Sequence, residues 1–135
     1  MPEEDFEVEV SSWRNVLEHN NASVWESCSK YLSEIKDDIG GVYYLKGSEN
    51  QYLYIGRSVN VKERIISHLV GTSQATRKFK KDILYVSGFY VDDIADQEIY
   101  ETYAIKIFQP KYNKAKTTKV LGNYGRYPSK RTSTR

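Results

Sequence analysis

Three observations predict an α+β fold, a three-stranded antiparallel sheet flanked by helices with an extra helix at the N-terminus. Three runs rich in β-branched and aromatic residues, Val42–Lys46, Tyr52–Gly56 and Leu84–Val91, read as strands. Only the turn-rich Gly47-Ser48-Glu49-Asn50-Gln51 separates the first two, so they form a hairpin. The segments around them carry helix caps and apolar residues at three- and four-residue steps.

The elements follow in order. Residues 1–20 are acidic and mixed, with weak alternation at Phe6, Val8 and Val10. Ser23-x-x-Glu26 forms a capping box that opens a helix. Val24, Cys28, Tyr31, Leu32 and Ile35 line one face of it, and Gly40-Gly41 ends it. After the hairpin, Asn60 offers an N-cap with Glu63 at the third helical position, and the helix runs to about Leu69 with Val61, Ile65 and Leu69 facing the core. Ser73 to Lys81 reads as a short basic helix containing Arg77, Lys78, Lys80 and Lys81. Asp93 caps a last long helix, which Pro110 closes near Phe108. Beyond Asn113 the residues have little to bury, and a mobile tail is expected. The domain layout expected is therefore an acidic extension over residues 1–38, one compact domain over 39–114, and a basic tail over 115–135.

Composition narrows the function classes. With 135 residues the chain is long enough for one core. It has no run near the roughly 18 apolar residues of a membrane helix, and no partnership with a membrane is expected. The opening Met1-Pro2-Glu3-Glu4-Asp5 lacks the apolar run of a secretory signal. Cys28 is the only cysteine, which excludes an internal disulfide and fits a reducing cytoplasm. Set on an apolar helical stripe, it reads as core filler rather than nucleophile. Net charge is +2, but unevenly spread: residues 1–40 hold ten acids against three bases, and residues 102–135 hold nine bases and no acid. A basic end suits a polyanion such as DNA, or a solvated tail, and charge alone does not separate the two.

Several residues carry potential chemistry. Tyr43 and Tyr54 lie on the two hairpin strands; a phenol with a pKa near 10 is a poor base unless cations stabilise its phenolate, and Arg57 and Arg64 supply them. Gly56, at a strand end, permits an unusual backbone conformation or close approach of a phosphate, or is an ordinary turn glycine. Arg64 and His68, four apart, share a helical face about 100° from the core stripe; that face presents a cation and an imidazole to the sheet rim, or simply meets solvent. Glu101 precedes Ile105 and Phe108 on a stripe that becomes apolar, so its carboxylate needs a cation.

Taken in order, Gly41-Val42-Tyr43, Tyr54-Ile55-Gly56, Arg64, His68, Glu101 and Pro110-Lys111-Tyr112-Asn113 resemble the GIY-YIG nuclease family. The likeness covers about Gly40 to Lys114 and is strongest to the N-terminal nuclease domain of the bacterial nucleotide-excision incision subunit, here standing alone. It implies a divalent-metal-dependent endonuclease hydrolysing DNA phosphodiester bonds. Glu101, nine residues before Pro110, would be the single metal carboxylate, in preference to Glu98, and would hold Mg²⁺ or Mn²⁺. Tyr43 or Tyr54 would activate water, Arg64 would hold the phosphate, and Asn113 would tie the site together or touch substrate. Arg57 stands where many relatives have lysine, which puts a neutral-base role there in doubt. The substrate expected is duplex or branched DNA, tracked by Gly56, Asn113, Arg77, Lys78, Lys80 and Lys81, in a cytoplasmic protein of bacterial or phage type. Residues 1–38 offer a surface for a homodimer or a protein partner. The alternative is a non-catalytic nucleic-acid-binding or interaction module that retains the fold.

Overall fold

The computed structural model describes residues 1–13 and 23–113. The elements are β1 (Phe6–Glu9), α1 (Val24–Tyr31), β2 (Gly41–Lys46), β3 (Tyr52–Ser58), α2 (Val61–Val70), β4 (Tyr85–Tyr90) and α3 (Ile94–Phe108). The strands form one antiparallel sheet in the order β1-β4-β2-β3.

Four strands replace the three expected. The added strand is β1, whose pattern of Phe6 and Val8 between Glu7 and Glu9 is too short to announce itself. Pairing with β4 makes it a strand: Phe6 stands opposite Gly88 and Val8 opposite Val86. Hydrogen bonds from Asp5 N to Gly88 O (2.7 Å) and Val10 N to Leu84 O (2.8 Å) extend the ladder at both ends. Its outward acids suit an edge strand, because charge discourages pairing with another chain.

Every residue of β2 is buried, and its alternate side chains enter two different cores. Tyr43 and Leu45 join Trp13, Cys28, Leu32, Ile35, Val61, Ile65 and Leu69 beneath α1 and α2. Val42 and Tyr44 face the other way, packing with Ile55, Phe89, Ala104 and Ile105 beneath α3. A strand covered on both faces reads as continuously apolar, as Gly41–Lys46 nearly does. Cys28 is buried as core filler, and burial pushes its thiol up to about 12, against the lowering charge of Lys62.

The three cap residues act as their types require. Ser23, Asn60 and Asp93 accept from the backbone N–H of Glu26, Glu63 and Asp96 respectively. One expected boundary moves and one expected helix is replaced by turns. Helix α1 stops at Tyr31 rather than at Gly40-Gly41; Leu32 and Ile35 keep their buried positions in a turn closed by Ile35 N to Leu32 O at 2.9 Å. The basic helix over Ser73–Lys81 does not form. Its backbone bonds join residues three apart, Phe79 N to Thr76 O and Asp82 N to Phe79 O, giving successive turns and one 3₁₀ turn at Lys80–Asp82. Thr76, Phe79 and Ile83 are all buried at helix-like spacing, so tertiary anchors rather than a helical ladder hold this segment. The tail expected to be mobile lies outside the described residues from 114 on.

Candidate active site

The site is assembled at β3, where the two layers meet. Tyr43 on β2 stands opposite Gly56 on β3. A Cβ at position 56 would fall 3.0 Å from Tyr43 Cε2 and closer still to the hydroxyl. Gly56 is therefore a notch for the Tyr43 ring, and its φ is not left-handed. The Tyr54 ring lies beside that of Tyr43, with centroids 6.5 Å apart. Tyr43 is buried and Tyr54 half-buried, so of these two residues Tyr54 is the one that meets solvent. Burial pushes the Tyr43 phenol well up from its ordinary value; Tyr54 and Glu101 add to this and Arg64 opposes it. Tyr54 is raised as well, by burial and then by Glu101, with Arg64 again opposing.

Helix α2 supplies the next groups, and its Arg64–His68 face splits. Arg64 is exposed and, among the described residues, forms no ion pair within 4 Å. His68, one turn on, is buried at 1% exposure. Its Nε2 is 2.6 Å from the Tyr43 hydroxyl and its Nδ1 is 2.9 Å from Thr76 Oγ1. Burial, helped by the Arg64 charge, lowers the His68 pKa to about 4, so the ring is neutral near pH 7. In the neutral tautomer whose Nδ1–H donates to Thr76 Oγ1, Nε2 accepts a hydrogen bond from the Tyr43 hydroxyl. His68 thus contacts Tyr43 rather than the solvent-facing rim where a phosphate would lie.

The third contribution comes from α3 on the opposite face. Arg57 follows Gly56 and, by strand alternation, points to the α3 side. Its Nη2 is 3.3 Å from Glu98 Oε2, and its Nε is 3.7 Å from Glu101 Oε1. The Glu101 side chain is 11% exposed and that of Glu98 is 56% exposed. The Glu101 charge raises both phenols, more than Arg64 lowers that of Tyr54 and less than Arg64 lowers that of Tyr43. The structure thus gathers Tyr43, Tyr54 and His68 on the α2 side of the sheet and Arg57 and Glu101 on the α3 side, with the charges of Arg64 and Glu101 both acting on the two phenols. No group of three or more histidine, cysteine, aspartate or glutamate side chains converges among the described residues. A nearly buried lone carboxylate suits a hard cation that keeps most of its own waters, and is a poor fit for zinc.

The remaining candidates divide. Asn113 is buried, its Oδ1 accepting from Ile55 N (2.9 Å) and its Nδ2 donating to Ile55 O (3.0 Å). Both ends of its amide are occupied by β3, so it braces the strand between Tyr54 and Gly56. Lys111 N to Tyr52 O and Tyr112 N to Leu53 O extend the same brace. Arg77, Lys78 and Lys81 are exposed and Lys80 half-buried, in the turns around Thr76, so this basic loop adjoins His68. Thr76 and Glu98 were not assigned from sequence. Thr76 has no motif to mark it, whereas Glu98 competed with Glu101 on the same helix, where one guanidinium reaches both. A depression lined by Glu7, Glu9, Glu49, Asn50 and Tyr85 shares no residue with the site, and its acidic lining does not suit a phosphate.

Comparison with known proteins agrees with this fold. The UvrC-like GIY-YIG domain profile matches residues 39–114, more than half the chain. The chain belongs to this family. The chain is 29% identical over 80 residues to YurQ of Bacillus subtilis, covering 59% of this chain and 64% of that protein. It is 33% identical over 75 residues to UvrABC system protein C of Fusobacterium nucleatum, covering 54% of this chain and 13% of the relative. The matches thus span less than two thirds of these relatives' lengths. Among solved structures, the GIY-YIG N-terminal endonuclease domain of UvrC from Thermotoga maritima, bound to magnesium as its catalytic divalent cation, superimposes with a TM-score of 0.53. That match has 20% identity and covers 70% of this chain and 99% of that one. The fold is that of the UvrC-like GIY-YIG domain, a four-stranded antiparallel sheet with helices on both faces. No helix among the described residues is long and apolar enough to cross a membrane.

Proposed function

We propose that this protein is a divalent-metal-dependent endonuclease that hydrolyses phosphodiester bonds of DNA. One observation carries the reading: in a UvrC-like GIY-YIG chain the Tyr43–His68 pair lies beside Tyr54, and the charges of Arg64 and the nearly buried Glu101 both act on the two phenols. Glu101 would hold the cation, Mg²⁺ or Mn²⁺, which when bound polarises the phosphoryl group and steadies the leaving 3′ oxygen. The chemistry is otherwise positioning and charge stabilisation by this chain's own groups.

Arg64, exposed and free of carboxylate partners among the described residues, binds the scissile phosphate through paired N–H donors. Tyr54 is the accessible phenol and, as phenolate, takes a proton from the attacking water. The water oxygen bonds to phosphorus and the bond to the 3′ oxygen breaks. Tyr43 acts from behind: held by His68 and seated in the Gly56 notch, it fixes the ring beside Tyr54. The loop bearing Arg77, Lys78, Lys80 and Lys81, together with the basic residues after Asn113, tracks the backbone without reading bases. In this reading residues 39–114 carry the catalytic groups, 1–38 share their core and sheet and leave an outer surface able to meet a second copy or a partner, and 115–135 form a DNA-tracking tail, in a cytoplasmic protein acting on duplex or branched DNA.

Supercoiled plasmid incubated with the protein and Mg²⁺ or Mn²⁺ tests this. Nicking or linearisation is expected, suppressed by chelator. It should fall by about a hundred-fold or more in Glu101→Ala, as when one preorganised charge-stabilising group is lost, with DNA binding retained. Equal cleavage by the two proteins removes Glu101 from the reaction.

A further inference from the structure

Arg57 touches two carboxylates of α3 unequally. Its Nη2 is within hydrogen-bond reach of Glu98 at 3.3 Å, whereas its Nε stands 3.7 Å from Glu101, close enough for charge attraction but too far for a hydrogen bond. The better-bonded partner is the more exposed one: the Glu98 side chain is 56% exposed against 11% for Glu101. On burial alone the guanidinium would be drawn to Glu101, since a carboxylate removed from water gains more from a cation. Glu98 therefore holds the guanidinium short of Glu101.

We infer that Arg57 and a divalent cation compete for Glu101, and that Glu98 is the positioning residue that tilts the competition toward the metal by tethering Arg57. The inference rests on the assignment of Glu101 as the metal carboxylate. A hard cation binds carboxylate oxygens at 2.0–2.6 Å and excludes a guanidinium hydrogen-bonded to the same lone pairs. Without metal, Arg57 neutralises part of the Glu101 charge from its present distance. With metal, its positive charge has a second anchor one helical turn away, and it moves the short distance without becoming unpaired. An arginine suits this because its planar fork presents several N–H groups that can bond two carboxylates at once. The single ammonium of a lysine would have to choose between them.

The consequence is a coupling between two positions, measurable without DNA. Mn²⁺ binding to the full chain is followed by electron paramagnetic resonance, which counts free ion, in wild type, Glu98→Gln, Arg57→Gln and the double variant. Glu98→Gln should weaken Mn²⁺ binding about three-fold, the scale of an exposed ion pair, because the released guanidinium settles on Glu101. Arg57→Gln should tighten binding by a similar factor. In the Arg57→Gln background, Glu98→Gln should have little effect. If Glu98→Gln weakens binding equally in both backgrounds, Glu98 acts only through its own charge and the tether is disproved. If neither single variant changes the affinity, competition is disproved. Glu101→Gln is the control: undiminished Mn²⁺ binding there defeats the metal assignment itself, a result distinct from failure of the tether. Arg57→Lys supplies a second check, since it should bind Mn²⁺ more weakly than wild type if spanning both carboxylates is what matters.

Discussion

Tyr43 fills the space that a side chain at Gly56 would occupy. The two residues face each other across β2 and β3, and the ring lies over the glycine Cα. Gly56→Ala therefore forces the phenol out of its seat and away from His68. A loss of about 1–3 kcal/mol is expected, the range for overpacking a tight interior, seen as a lower urea midpoint. The effect belongs to the pair, so Gly56→Ala should cost much less in a Tyr43→Ala background. Additive losses would mean that the glycine serves the backbone or a phosphate, not the ring.

The neutral His68 makes stability depend on acid in a defined window. Its pKa is about 4 in the folded chain against an ordinary 6.5, so between these values the unfolded chain binds the extra proton. Stability is thus intact above about pH 6.5 and is lost as pH falls toward 4, by about 3 kcal/mol over the full shift. Urea titrations at pH 7, 5.5 and 4.5 should show that loss relative to His68→Gln, which has no such proton to take up. Parallel pH curves for the two proteins would show that His68 charges without cost.

These buried relationships mark the limit of what the chain reveals before folding. Caps are local, and Ser23, Asn60 and Asp93 were each legible because the bond they make is to the third residue on. The ordered set from Gly41 to Asn113 was legible for another reason: it resembles a known family, and the match over residues 39–114 agrees. Strand β1 was not legible, since a four-residue edge strand owes its conformation to β4. The apolar steps at Leu32 and Ile35 looked helical although a turn places them in the core. Nor could helical spacing show that Arg64 faces solvent while His68 turns in toward Tyr43 and Thr76, because a tertiary neighbour decides it.

The proposed base has a kinetic signature. Burial and then Glu101 raise the Tyr54 phenol, and Arg64 only partly opposes them, so phenolate is scarce at pH 7. Cleavage with saturating Mg²⁺ should rise steadily from pH 6 to 9, close to ten-fold per pH unit while the phenol stays mostly protonated. No acid limb near pH 6.5 is expected from His68, which is already neutral there. Tyr54→Phe should be slow and nearly independent of pH. A Tyr54→Phe enzyme that keeps the wild-type slope would assign water activation elsewhere.

Asn113 acts on the site through β3. Its amide both accepts from and donates to Ile55, the residue between Tyr54 and Gly56. Asn113→Ala leaves two backbone groups of an edge strand without their partners and should cost about 2 kcal/mol. Asn113→Asp keeps the acceptor but sets a carboxylate oxygen against the Ile55 carbonyl, and should be no better. Amide hydrogen exchange at Ile55 should accelerate in both variants. Unchanged protection there, with cleavage lost, would point to substrate contact instead.

The boundary of the family match is not the boundary of the core. Phe6, Val10, Trp13, Cys28, Leu32 and Ile35 all precede residue 39, and all are buried in the cluster that contains Tyr43 and Leu45. At roughly 1.5–3 kcal/mol for each large apolar side chain buried, removing them forfeits on the order of 10 kcal/mol, comparable to the whole stability of a small domain. It also strips β4 of its outer neighbour, leaving Tyr85–Tyr90 as an unguarded edge. A chain starting at Ile39 should therefore be unfolded or aggregated, with no cooperative thermal transition by circular dichroism. The full chain should melt as one unit. If the shortened chain instead folds with a melting temperature within a few degrees of the full one, the N-terminal layer is an attachment rather than part of the core that holds Tyr43.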